Sequence, residues 1–212
     1  MNISILITSK EHPVNTYVNK WAETNKSHQI SIVHSKEDLA SGDILFLISC
    51  SDIVSKLERD KFKKTLIIHA SDLPNGRGWS PHIWEIINGA TDITLSLLEA
   101  ENKVDTGDIW KKISVSIPKT ALFDEINELI FDSELALMDF AIENYNTIEP
   151  KKQSNIDSAY WPKRSPKDSL IDINKTLAAQ FDLIRVCDSK RFPAYFYKEG
   201  VKFNIVIEKS NE

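Results

Sequence analysis

The chain is poor in the residues that build several familiar kinds of site. Its only two cysteines, Cys50 and Cys187, lie far apart, which argues against a disulfide framework and against a cysteine-based metal centre. His12, His28, His34 and His82 have no H-x-x-x-H or H-x-E partner, so no metal is expected. There are only six glycines, with no GxGxxG after the first apolar run and no GxxxxGK[ST] anywhere. A standard dinucleotide or P-loop phosphate site is therefore not expected. Basic residues are not in excess: 26 Lys and Arg stand against 31 Asp and Glu, for a formal charge of −5. Nothing in that balance attracts a polyanion, and no nucleic-acid partner is expected. Long apolar runs are also missing. The first, in MNISILITSKEH, meets charge too soon for a signal peptide or a membrane span and reads as a first strand, so no membrane partner is expected; with no disulfide framework, a reduced, cytoplasmic setting is the default.

What is present suits one well-cored α/β domain with an appendage. Asn2–Thr8, Gln29–His34, Asp43–Ser49 and Thr65–Ile68 are short runs rich in β-branched and aliphatic residues, as strands require. Between them, Val14–Glu23 places Val14, Tyr17, Val18 and Trp21 on one helical face, Ser35–Asp38 begins a brief helix, and Ile53–Phe62 suits a surface helix. Such alternation implies a Rossmann-like, mainly parallel sheet with helices on both faces. Further on come a helix at Ser80–Asn88 stopped by Gly89, strands at Asp92–Leu98 and Ile109–Ile117, and a long helix after Thr120. Residues 1–150 form the expected catalytic domain. Residues 151–212 form a short C-terminal extension, with a helix near Asn174–Cys187 and a closing β-hairpin around Glu199-Gly200.

The stretch Thr65–Trp110 concentrates the special residues. It holds Gly76, Gly78, Gly89 and Gly107, and Trp79, Trp84 and Trp110. His69 stands where the fourth strand breaks into a turn-rich loop, at the carboxyl end where ligands of open α/β sheets bind. Asp105 stands in a second tight turn, DTGD. By spacing alone His69 is as readily structural as functional, and Asp105 reads first as a turn former. The tryptophans read as packing, and His82 as a residue of a helix's polar face.

The run His69-Ala70-Ser71-Asp72-Leu73-Pro74-Asn75-Gly76-Arg77-Gly78-Trp79-Ser80-Pro81, followed by Asp105-Thr106-Gly107-Asp108, resembles the formyltransferases that use 10-formyltetrahydrofolate. Their pattern is roughly N-x-H-x-S-L-L-P-x-x-R-G-x-x-P, then a D-T-G-D or D-A-G turn. The tail Ala159–Asp168, with Ile171-Asp172 and Leu183-Ile184-Arg185, resembles the segment found in amino-sugar members. The resemblance implies His69 as the base that takes a proton from an attacking amine, and Asp105 as the group that orients and charge-stabilises its imidazole. It further implies a pterin held by the backbone of Ser51, Asp52 and Ile53 and of Glu101, Asn102, Lys103 and Val104. The family's oxyanion-binding asparagine falls on Ile67, an apolar residue on the same strand face as His69. Asn75 is the expected substitute donor, with Ser71, Ser49, a backbone N–H or protonated His69 as other choices.

The acceptor implied by the tail is a nucleotide-linked amino sugar for a surface glycan, because a tRNA acceptor would call for a larger basic extension. Lys10, Arg77, Gly78, Lys163 and Arg164 are the candidate substrate contacts, and a homodimer is compatible with this reading. A 10-formyltetrahydrofolate hydrolase, or a non-catalytic folate- or nucleotide-sugar-binding protein, stands as the alternative that Ile67 keeps open.

Overall fold

The four short strands expected from the sequence assemble edge to edge in a computed structural model that describes residues 1–154 and 159–210. These are β1 (Asn2–Leu6), β2 (Gln29–Val33), β3 (Gly42–Leu47) and β4 (Phe62–His69). They pair in parallel in the order β2-β1-β3-β4. Because side chains alternate along a strand, each strand feeds two cores. Ile3, Ile5, Ile44, Phe46, Leu66 and Ile68 enter the larger one, and Leu6, Leu45, Leu47 and Phe62 the smaller.

The larger core is covered by α1 (Val14–Thr24) and α4 (Phe123–Glu143). The cap of α4 differs from the expectation at Thr120: Leu122 is the N-cap residue, and its N–H donates to the Glu125 carboxylate at 2.8 Å. The smaller core has a thin cover, a 3₁₀ turn at Lys36–Asp38 and α2 (Lys56–Arg59). The helix expected over Ile53–Phe62 shrinks to these four residues: Val54 and Phe62 at its ends join the smaller core, but the apolar positions meant for the helix face find no cover. Ile53 and Leu57 are 68% and 83% exposed. That face of the sheet is left shallow.

Beyond β4 the alternating pattern no longer gives parallel strands. A two-residue strand β5 (Arg77–Gly78) and α3 (Pro81–Ile87) lead into β6 (Asp92–Glu99). The chain re-enters the sheet from the end it has just reached, and β6 runs antiparallel to β4, with His69 opposite Ser96. The last strand, β7 (Ile109–Ser116), is antiparallel to β6. The segment between Glu99 and Asp108 folds back towards the carboxyl end of β4.

The C-terminal part lies against this body. β8 (Tyr160–Trp161) pairs with β5. On α5 (Leu177–Arg185) the buried Arg185 donates to the carbonyls of Pro118 and Ala121 at 3.1 and 3.2 Å. The hairpin of β9 (Ala194–Lys198) and β10 (Val201–Ile205) turns at Glu199 and Gly200, both with positive φ, as two-residue hairpins favour.

One core residue makes a test of its own. Glu134 on α4 is buried, and its Oε2 has no hydrogen-bond partner among the described residues. Burial pushes its carboxyl from 4.5 up to about 8. The folded chain thus binds a proton that the unfolded chain releases, so stability is greatest below the unfolded value and is lost as pH rises through about 8. Thermal melts at pH 5 and pH 9 should show this decline, and Glu134→Gln should flatten it. An unchanged slope in the variant would assign the decline to other groups.

Candidate active site

His69 ends β4 with its side chain only 9% exposed. Its Nε2 lies 2.9 Å from the carbonyl oxygen of Gly76. A carbonyl only accepts, so this contact makes Nε2 the protonated nitrogen and leaves the Nδ1 lone pair free in the neutral ring. Nδ1 faces Asp105 Oδ1 at 3.7 Å, too long for a hydrogen bond but close enough to stabilise an imidazolium. The other carboxylate oxygen, Oδ2, accepts from the Gly78 N–H at 3.0 Å. Asp105 is thus fixed by the same loop that touches His69.

Two loops make this arrangement. The first, after β4, contains a cis Leu73-Pro74 bond and turns back at Gly76, where φ is +70°. Ser71 is fully buried beneath it. Its Oγ donates to the Asn75 carbonyl, and its own carbonyl accepts from Ser96 Oγ. Gly78 has φ +105°, and a Cβ there would stand 2.3 Å from the Trp161 carbonyl, so β5 and β8 can lie together only with glycine at this point. The second loop carries Asp105 at φ +56°, a left-handed conformation that costs a non-glycine residue roughly 1 kcal/mol or more. Two donors hold its carbonyl there: Arg77 Nε at 3.2 Å and Gln153 Nε2 at 3.0 Å.

The formyl transferase family profile matches residues 2–142, with this histidine and this acid both inside it. The chain belongs to the formyl transferase family. Among curated relatives, methionyl-tRNA formyltransferase of Clostridium acetobutylicum is 27% identical over 179 residues, covering 83% of this chain and 57% of that protein. The chain spans about half the length of the curated relatives it matches. Three solved structures share its fold. A methionyl-tRNA formyltransferase from Clostridium thermocellum superposes with a TM-score of 0.82 at 23% identity, over 100% of this chain and 95% of that one. HypX from Aquifex aeolicus in complex with tetrahydrofolic acid gives 0.74 at 21%, over 94% and 36%. A 4-N formyltransferase from Francisella tularensis gives 0.73 at 18%, over 100% and 98%.

Within this formyl transferase fold, the position next along the exposed face of β4 is Ile67. It is half-buried, against the cluster of Leu47, Val54 and its neighbours Cys50 and Ala100. Asn75 lies on the loop beside His69 but is exposed, and its amide makes no hydrogen bond among the described residues. From that loop it is the Gly76 carbonyl, and not the Asn75 side chain, that reaches the imidazole.

The loops after β3 and β6, which carry Ser51, Asp52 and Ile53 and Glu101 to Val104, are joined by one side chain. Arg59 donates to the Val54 carbonyl at 2.8 Å and to Asn102 Oδ1 at 2.6 Å. Ser51 is further pinned to Thr8, through its N–H and its hydroxyl, each at 3.0 Å. Each loop carries one exposed aliphatic residue, Ile53 and Val104. Aliphatic side chains beside backbone donors and acceptors suit a flat heterocycle with polar edges, and the residues present are therefore compatible with a pterin.

The other candidates are dispersed. Lys10 is exposed in the loop after β1, and Lys163 lies over the Trp79 ring at 4.6 Å. Arg164 is turned inward, with Nη2 on the Asp168 carbonyl and Ser169 Oγ. His82 differs from the expectation of a solvated polar face. Its Nδ1 is buried without a partner among the described residues, and burial, then the charges of His69 and His12, push it down to about 4. His12 is likewise pushed down to about 4, by burial and then by Arg191. Glu85, on the α3 face towards Gly76, is pushed up to about 6 by burial and then by Asp72. The residue missed in the sequence is Gln153. In a lysine-rich segment between Pro150 and Pro162 it carries no local signal that separates it from a solvated amide.

Proposed function

We propose that the chain transfers a formyl group from 10-formyltetrahydrofolate to the amine of a nucleotide-linked amino sugar. The observation that carries the reaction is the facing pair of His69 Nδ1 and Asp105 Oδ1 at 3.7 Å, at the carboxyl end of β4 in a formyl transferase chain. The donor supplies an electrophilic formyl carbon. As the acceptor nitrogen bonds to that carbon, His69 Nδ1 takes the proton the nitrogen sheds. Asp105 then faces an imidazolium, and the gap between them closes to a charge-assisted hydrogen bond. His69 returns the proton to the folate nitrogen when its bond to the formyl carbon breaks. Throughout, the Gly76 carbonyl holds Nε2–H and keeps the ring in one tautomer. Asn75 is the proposed donor to the oxyanion, from an exposed position with an uncommitted amide. The loops of Ser51–Ile53 and Glu101–Val104 would hold the pterin.

The acceptor assignment rests on chemistry around the site. A net charge of −5 gives no attraction for tRNA. Lys10 and Lys163 are exposed cations suited to a diphosphate, with Arg77 and Gly78 as the remaining proposed substrate contacts; Arg164, turned inward, is not among them. A cytoplasmic enzyme of surface-glycan synthesis follows from such a substrate.

The test is incubation with 10-formyltetrahydrofolate and a panel of nucleotide-linked amino sugars, alongside methionyl-tRNA, with mass spectrometry for a gained formyl group. Gain on a sugar nucleotide is expected. Gain on the tRNA alone would overturn the acceptor, and formate released without any acceptor would favour a hydrolase. Ile67, which withholds the usual amide, favours one further reading, a folate-binding protein without turnover; binding of the folate with no product on any acceptor would support it.

A further inference from the structure

The catalytic turn is held from outside the part of the chain that the family profile covers. That profile ends at residue 142, whereas Gln153 reaches back to the turn from the segment that follows α4. Its approach is fixed two residues earlier. Lys151 and Ile109 exchange backbone hydrogen bonds at 2.7 and 2.8 Å, so the segment runs as a short added edge beside β7. From there the Gln153 amide is fully used. Nε2 donates to the Asp105 carbonyl at 3.0 Å and to the Gly107 carbonyl at 2.8 Å, while Oε1 accepts from Arg77 Nη2 at 3.1 Å. Arg77 closes the ring by donating Nε to the same Asp105 carbonyl.

These bonds meet at the one residue of the turn whose backbone is least favourable for its type, Asp105 at φ +56°. Without donors on its carbonyl, and on that of Gly107, the turn has less to keep it in this conformation. The carboxylate would then swing relative to His69. We infer that Gln153 is a positioning residue for the reaction: it clamps the Asp105 turn to the Arg77-Gly78 loop and so sets the carboxylate against the His69 imidazole. Lys151 and Gln153 thereby become part of the support of the working site.

For its kinetic consequence the inference rests on the formyl-transfer reading, so its test has an arm that does not. Gln153→Glu keeps the acceptor for Arg77 and replaces the two N–H donors with an oxygen that repels both carbonyls. Gln153→Ala removes all three contacts. In the full chain labelled with ¹⁵N-histidine, the wild type should show His69 with protonated Nε2 in one tautomer. Both variants should shift the His69 ring nitrogens while the unfolding transition stays cooperative. In the transfer assay, kcat should fall roughly tenfold to a hundredfold, the scale of a small misplacement of a catalytic group, with KM for the folate unchanged. A folded Gln153→Glu chain whose His69 ring shifts match the wild type would overturn the inference. Should Gln153→Ala fail to fold, Gln153→Glu alone decides. Should the wild type transfer no formyl group at all, the formyl-transfer reading fails and the ring shifts still decide this one.

Discussion

Replacing His69 with asparagine is expected to lower formyl transfer by roughly a hundredfold to ten-thousandfold, the usual contribution of a positioned proton acceptor. Asparagine ends one bond short of Nε2, so the Gly76 carbonyl loses its donor; one such hydrogen bond costs about 1 kcal/mol, and the melting temperature should fall by only about 2–4 °C. What is lost is the nitrogen lone pair that faces Asp105. Asp105→Asn is expected to fail for a complementary reason. Its Oδ1 can keep the Gly78 N–H, but an amide NH₂ is then turned towards Nδ1 and offers a donor where the wild type holds a negative charge. Both variants should show a reduced kcat in steady-state assays with KM for the folate near the wild-type value. Retention of more than a tenth of kcat in both would remove the pair from the mechanism.

Gly107→Ala carries the second large effect, and it acts through structure. A Cβ at this position would stand 1.8 Å from the Glu99 carbonyl oxygen and 2.7 Å from its carbon. The clash cannot be relieved from the other side, because Glu99 is held at every point. Its N–H donates to the Asp108 carbonyl, its carboxylate accepts from Lys64 and Trp110, and its backbone is in register with Leu66. The turn must therefore open, and the Gln153 bond to the Gly107 carbonyl opens with it. Overpacking of this severity belongs at the upper end of its range, about 3 kcal/mol or more, which for a chain of this size lowers the melting temperature by roughly 6–12 °C. Calorimetry checks it, and a variant within 2 °C of the wild type would show that the turn has another packing available.

The parts of this molecule that were legible in the sequence are those written in local pattern. β1 to β4 follow their β-branched runs, α4 follows its i, i+3, i+4 stripe, and the hairpin follows Glu199-Gly200. The candidate pair was legible because a histidine at a strand end and a DTGD turn recur as motifs, not because their spacing required them to meet. Strand direction was hidden: DITLSLL alternates polar and apolar residues from Asp92 to Leu97, which assigns its two faces but neither its partner strand nor its sense. The extent of α2 was hidden too, since Ile53 and Leu57 resemble a helical stripe until the surface they would cover proves absent. His82 and Gln153 were illegible for a common reason. One looks like a helix-surface histidine and the other like a linker amide, and each owes its role to groups far away in the chain.

The stacked pair of Trp84 and Trp161, ring centroids 5.9 Å apart and 8° from parallel, has an optical consequence. Two indoles in this geometry couple their electronic transitions, and one belongs to α3 while the other belongs to the strand laid against Gly78. The far-ultraviolet circular dichroism of the chain therefore contains an indole signal that exists only while the C-terminal segment is seated. The molecule carries an internal, label-free gauge of whether β8 is seated against the Arg77-Gly78 strand.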